Sequence, residues 1–393
     1  MPIQENAITE FTKRFSDQFI MEPPISAPSF QSTFRSVPFS KLPHWNTANL
    51  TNSLSTFQRS CRCFLKQSPE RMVGNQWFHL HVKDWLPACK AALSLQSPTS
   101  VDAQHFFETW FQAVAFSQNR SPQGLFTGYY VPEIKASLTK TKEYSVPVYG
   151  IPTNLIQINL MDFDAKLPKR QLFGRLEKNR LVPFYSRKEI DEGKIDGYAP
   201  VIAYIHSRVD RLFMEIQGSV LLRLNDNSQL NLGYAGKNGH PYTAIGGVLI
   251  KRGILTKQTL SKQNIEAYLA AHPEEADDIL HHNRSFVFFE ILDKKGAYGT
   301  QGVTLTPGYS LAVDMDWVPL GMPVWLNTSF PDPHQNNDSP LHRLMIAQDT
   351  GGAIKGMIRG DVFWGKGKKA EAIAGKMKNQ GHYWLLIPKK QAS

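Results

Sequence analysis

The stretch AQDTGGAIKGMIRGDVFWG, residues 347–365, sets two carboxylates among glycine turns and an apolar run. The preceding Leu344, Met345, Ile346 and Ala347 read as the end of a strand that delivers Asp349 into a turn of Thr350, Gly351 and Gly352. Further on, Asp361 follows Gly360 and precedes Val362, Phe363 and Trp364. Paired glycines let the backbone bend tightly and let a ligand come close. A carboxylate beside aromatics sits in a setting that favours its protonated form, which suits a general acid. Aspartate is also a common turn residue, so spacing alone leaves both readings open.

N-terminal to this stretch, residues 131–243 carry short alternating or β-branched runs split by Pro, Gly and Asn: VPVYGIP, APVIAYIHS, LFMEIQGSVLLRL and QLNLGYAG. This spacing predicts a compact β-barrel. VFFEIL, SLAVDM, PVWLN, LMIAQD and YWLLIP predict further strands. Apolar residues at helical spacing predict helices over 50–65, 84–95, 101–116, 245–255, 262–271, 274–281 and 368–378. Residues 1–45 are rich in Ser, Pro and Phe without periodicity and read as an extended or disordered segment. Pattern alone therefore yields a β-rich chain with peripheral helices.

At 393 residues the chain is long enough for two cores, and 41% hydrophobic residues place it among globular proteins. A formal charge of +10 calls for an acidic partner or surface. The basic residues are dispersed and no nucleic-acid motif occurs, so nucleic acid is not the expected partner. Lys355, Arg359, Lys366, Lys368 and Lys369 form a local basic surround to the opening stretch. GKGKK after Trp364 lacks the spacing and context of a phosphate loop. Acidic and histidine residues do not recur at metal-ligand spacing, so neither metal nor cofactor is expected. The first residues show no apolar signal core and no lipid-attachment cysteine, and no run of 18 apolar residues predicts a membrane span.

Four more motifs stand in order before the opening stretch: FTGYY (126–130), IQGS (216–219), YAGKNGHPYTAIG (234–246) and LTPGYSLAVDMDWVPLGMPVWL (305–326). Together they resemble the membrane-bound lytic transglycosylase A family, bacterial enzymes that cleave peptidoglycan glycan strands. The resemblance runs from about residue 100 to 388. It implies a mainly β fold, a double-psi β-barrel domain carrying an inserted second β-barrel domain. Residues 46–130 plus 244–393 would form the first and 131–243 the second, with the cleft between them. It also implies a periplasmic setting with outer-membrane association, glycan strands as partner, a monomer, and a place in a wall-synthesis or wall-remodelling complex. Cys61 and Cys89 resemble a pair that recurs in related sequences, which implies a disulfide and leaves Cys63 as the odd thiol.

The implied reaction breaks the β-1,4 bond between N-acetylmuramic acid and N-acetylglucosamine without water. The muramic acid's own C6 hydroxyl attacks the anomeric carbon and leaves a 1,6-anhydro end. Proximity replaces an activated water, so one carboxyl can serve as both acid and base. The resemblance puts that group at Asp361, a supporting role at Asp349, and a structural or secondary one at Asp314. Candidate substrate contacts are Thr127, Gly128, Tyr129 and Tyr130, then Gln217, Gly218 and Ser219, then Asn238, Gly239 and Tyr242. Tyrosines can stack on sugar rings, although two of them could equally pack an interdomain joint. Two other functions stay open: a polysaccharide-binding module without catalysis, and a hydrolase using Asp349 and Asp361 together.

Overall fold

The computed structural model describes residues 33–116, 123–164, 166–168, 170–256, 258–292 and 296–390. It opens with β1 (Phe34–Val37), followed by the helices Thr51–Phe64, Val82–Ser94 and Ser100–Trp110. Next come β2 (Phe111–Phe116) and β3 (Gly124–Val131). β4 (Glu133–Ser137), β5 (Val146–Tyr149), β9 (Val201–Ile205), β10 (Ser219–Leu224), β11 (Gln229–Lys237) and β12 (Val287–Ile291) form a second sheet. β6 (Ile156–Asn159), β7 (Gln171–Glu177) and β8 (Arg180–Pro183) make a small antiparallel sheet of their own. The chain ends with β13 (Ser310–Val313), β14 (Pro323–Phe330), β15 (Ser339–Asp349), β16 (Arg359–Lys366) and β17 (Lys378–Pro388).

The first sheet closes on itself. Strands run β3, β16, β13, β15, β14, β17 and back to β3, because β17 pairs with β14 along its middle and with β3 at its start. The pairs β3–β16 and β13–β15 are parallel, and the rest of this ring is antiparallel. The ring is the six-stranded double-psi barrel, and β2 and β1 extend it from the far end of β17. The second sheet runs β12–β11–β10–β4–β9–β5, and its edges β12 and β5 pack against each other, giving the inserted barrel. The overall class, mainly β with peripheral helices, is the one expected.

The barrel's core continues into the N-terminal helices, where Phe57, Phe64, Trp85, Phe107 and Phe111 are fully buried. Each such side chain contributes roughly 1.5–3 kcal/mol by leaving water. Cys61 and Cys89 are disulfide-bonded across two of these helices, and Cys63 is free.

Several boundaries differ from the sequence reading. Residues 1–32 of the expected extended segment lie outside the described residues, but Phe34–Val37 is a strand paired with β2 and Trp45 is buried. The helix expected over 101–116 stops at Trp110, since Phe111–Phe116 must extend to bond β1 and β17. LFMEIQGSVLLRL was expected to be one strand and is a helix followed by a strand. Ser207 caps the helix Arg208–Gln217, and Gly218, at φ 72°, ends it and releases β10. Finally, β12 pairs with β11 in the second sheet, so that sheet draws strands from beyond the expected limit at residue 243.

Candidate active site

Register places the key side chains in one row. Thr127 on β3 pairs with Asp361 on β16, Asp361 pairs with Ala312 on β13, and Ala312 pairs with Asp349 on β15. A bulge between Leu311 and Ala312 skips Gln348, which turns inward, and so brings Asp349 into the row. Directly paired residues point to the same face, so all four side chains share it. Two strand spacings separate the aspartates, on the order of 10 Å between their Cα atoms. Ala312 between them is too small to screen one from the other.

Two residues along, Tyr129 and Phe363 pair on the same face and meet Leu221 of the second sheet. The site therefore lies where the barrel's outer wall faces β10. Phe126 and Tyr130 alternate to the other face of β3, Phe126 into the barrel core.

Asp361 accepts a hydrogen bond from the Thr127 hydroxyl at 2.6 Å, and Thr127 in turn accepts from Arg359 Nη2 at 2.9 Å. Burial pushes the Asp361 carboxyl up to about 6. The Thr127 hydroxyl and the Arg359 charge pull it down, and the Asp349 charge adds to the rise. A carboxyl near 6 is protonated often enough to act as an acid close to neutral pH and to take the proton back.

Asp349 is built differently. Its Oδ1 accepts from Thr300 N at 2.9 Å, Thr300 Oγ1 at 3.0 Å and Thr350 N at 2.9 Å. Its Oδ2 accepts from the Tyr129 hydroxyl at 2.8 Å. Burial raises its carboxyl, and these four donors oppose the rise. Every partner donates, which is the bonding pattern of an ionised carboxylate. Tyr129 is raised well above its ordinary range, by burial first and then by the Asp349 charge, so it stays a donor. Thr300, which no sequence signal singled out, supplies two of the four bonds from an irregular loop.

Asp314 shares none of these bonds. It is buried, accepts from Lys355 Nζ at 3.1 Å and Gly356 N at 2.9 Å, and so ties the turn after Asp349 to the end of β13.

The other candidates divide. Gly128 lets Trp364 and Ala374 approach, since a Cβ there would lie 2.7 Å from the Trp364 ring. Tyr130 is buried, and its hydroxyl is shared with Glu371 at 3.0 Å and Lys262 at 2.9 Å. Its ring lies between β3, Ala370 and Ala374, and its hydroxyl is engaged within the joint. Gln217 Oε1 accepts from Tyr130 N at 3.0 Å, which pins the second sheet's helix to β3. Gly218 and Ser219 follow at the helix end. Asn238 is buried and bonds the carbonyls of Tyr185 and Arg284, and Gly239 takes φ 80° against Phe173, so both hold a turn. Tyr242 is exposed. Among the described residues no three His, Cys, Asp or Glu side chains gather as metal ligands.

Comparison with known proteins meets this geometry. A family pattern described as "MltA specific insert domain" matches residues 125–290, and one described as "3D domain" matches residues 309–387. Membrane-bound lytic murein transglycosylase A of Escherichia coli K12 is 33% identical over 82% of this chain and 79% of its own length. Across the curated relatives it matches, the chain spans 65% to 79% of their lengths. A crystal structure of MltA from Neisseria gonorrhoeae superposes at TM-score 0.76 with 32% identity, covering 91% of this chain and 93% of the other. A structure of E. coli MltA with bound chitohexaose superposes at 0.65 with 27% identity, covering 94% and 98%. The chain belongs to the membrane-bound lytic murein transglycosylase A family.

Proposed function

We propose that this chain is a peptidoglycan lytic transglycosylase in which Asp361 alone protonates the leaving oxygen and accepts the C6 hydroxyl proton. The observation that carries the reading is the Thr127–Asp361–Ala312–Asp349 row, where one carboxyl titrates near 6 and the other is held by four donors. An acid needs the first setting. A fixed negative charge that favours a developing oxocarbenium suits the second. A two-carboxylate hydrolase would need Asp349 free to activate water, and its lone pairs are already engaged. A binding module would have no need of a carboxyl raised towards neutrality.

Tyr129, Thr127 and Ser219 then border the glycan strand, and Tyr242 offers an exposed ring further along. The bound chitohexaose in the E. coli relative supports an oligosaccharide in this cleft. Periplasmic action on the wall follows from the substrate, and none of the described helices is long and apolar enough to cross a membrane.

Digestion of purified sacculi followed by mass spectrometry tests the reaction. Each lyase product is lighter than its hydrolytic counterpart by one water. Finding only the heavier species overturns the proposal and points to the hydrolase.

A further inference from the structure

A second cavity, of about 740 Å³, lies between β5, the end of β9 and the helices Arg208–Gln217, Lys262–Ala271 and Pro273–His281. Its size falls within the roughly 300–1,000 Å³ usual for small-ligand sites. Asp361, Asp349, Thr127 and Tyr129 do not line it, so it is separate from the site above. One side is apolar, with Val146, Pro147, Leu269 and Leu280.

The charged side is unevenly matched. Asp191 is neutralised by Arg211 and approached by His281 at 3.1 Å, and Asp277 is paired with Arg208. Glu266 has only a share of Lys262, which lies 3.3 Å from it but 2.7 Å from Glu371. Among the described residues Asp210, which faces the cavity, has no ion-pair partner within 4 Å. Burial raises its carboxyl, and Lys262 and His206 offset that only from a distance. An anion entering here would meet Asp210 and Glu266 directly. A cation would complete them.

We propose that this cavity binds a primary ammonium group carried on an aliphatic stem, with Asp210 as counter-ion, Glu266 beside it, and the stem against Leu269 and Pro147. Two sources share that chemistry: a free diamine, and the diamino-acid side chain of a wall peptide. The second source rests on the function proposed above, and the first does not.

Calorimetric titration of the full chain tests this with 1,5-diaminopentane, 1,5-pentanediol and the tripeptide L-alanyl-γ-D-glutamyl-diaminopimelate. The diamine or the tripeptide should bind and the diol should not. Asp210→Asn should weaken binding by about tenfold or more, the usual effect of losing a charge-assisted contact. Ala270→Trp, at an exposed rim position, should block entry without touching the charges. Thermal unfolding of both variants separates a lost site from a lost fold. Binding of the diamine alone identifies a free amine as the ligand, and binding of the tripeptide alone identifies the wall peptide. Equal binding of the diol, no binding of either amine, or unchanged binding in both variants overturns the proposal. Sacculus digestion is read separately, so failure of the transglycosylase reading leaves the diamine result standing.

Discussion

Behind the second sheet, Glu215 and Asp191 are shut away beside Arg187 and Arg211, whereas on the barrel wall Asp361 is half-buried beside a threonine hydroxyl. Arg187 donates to both oxygens of Glu215, at 3.1 and 2.5 Å, and Arg211 bridges to Asp191. Two arginines thus balance two carboxylates. Burial pushes both carboxyls up; for Asp191 the charges of Arg211, Arg187 and Arg208 together reverse it and the carboxyl ends below its usual range, while Glu215, more deeply shut in, stays raised even against Arg187. Asp361 has Arg359 nearby, but that guanidinium bonds Thr127 and the Gly360 carbonyl, so its charge acts only at a distance. Burial therefore wins, and the carboxyl rises to about 6. What separates the two regions is contact: a buried acid bonded by a cation holds the fold, and one bonded by a single neutral donor is available to give up a proton.

Replacing each acid by its amide breaks the comparison most directly. Asp361→Asn should cut release of anhydro-muropeptides by about 10²–10⁴-fold, the range for a lost general acid, while glycan binding persists. The same variant should also be more stable at neutral pH. The folded carboxyl titrates near 6 and the unfolded one near ~3.9, so stability falls as pH rises between those values, and the amide escapes that loss. The expected gain is about 1–3 kcal/mol, read as a higher unfolding midpoint at pH 7.5 than at pH 4 relative to the parent. An active Asp361→Asn protein would end the assignment.

Glu215→Gln should do the reverse. It leaves Arg187 buried without its counter-charge, which costs about 3–5 kcal/mol, seen in urea unfolding, while activity per folded molecule stays close to the parent.

Asp349→Asn should fall between the two. It should lower turnover about 10²-fold through lost orientation and charge, with unfolding little changed, because its bonding partners are largely on the surface loop. A dead Asp349 variant beside an active Asp361 variant would exchange their roles.

The smallest effect sharpens the mechanism. Activity that needs protonated Asp361 should fall as pH rises through about 6. Thr127→Val removes the hydroxyl that favours the ionised form, so this limb should move to higher pH with only a several-fold change in maximal rate. An unmoved limb would show that another group sets the pH profile.

Much of the barrel was readable from the chain, because PVWLN, LMIAQD and YWLLIP are apolar on both faces and buried on both. Asp349 and Asp361 stood out in the sequence because glycine and aromatic neighbours mark them, and the row they share came only with the strand register. The helix Arg208–Gln217 was not, because Leu212, Phe213 and Ile216 also satisfy a strand pattern, and only the left-handed Gly218 settles the matter. The end of the third helix was missed because Phe111–Phe116 is drawn out by partners at both ends of the chain. Tyr130 and Asn238 looked like ligand contacts because their residue types suit sugars. The bonds they make, to Lys262, Glu371 and backbone carbonyls far along the chain, are ones no local spacing encodes. Thr300 escaped for the same reason.

The last strand has a consequence for how the molecule forms. β17 holds β3 at Lys378–Gly381, β14 at His382–Leu385 and β2 at Leu385–Pro388, so it closes the ring and fastens on the N-terminal strands as well. Thr127 and Asp361 are partners across 234 positions of chain. Contacts so distant in sequence make folding slow, since long loops must close before any pairing rewards them. During synthesis β3 waits with both edges open until β16 and β17 have emerged. The Thr127–Asp361–Ala312–Asp349 row thus waits on β16, and the closed ring that carries it waits on β17.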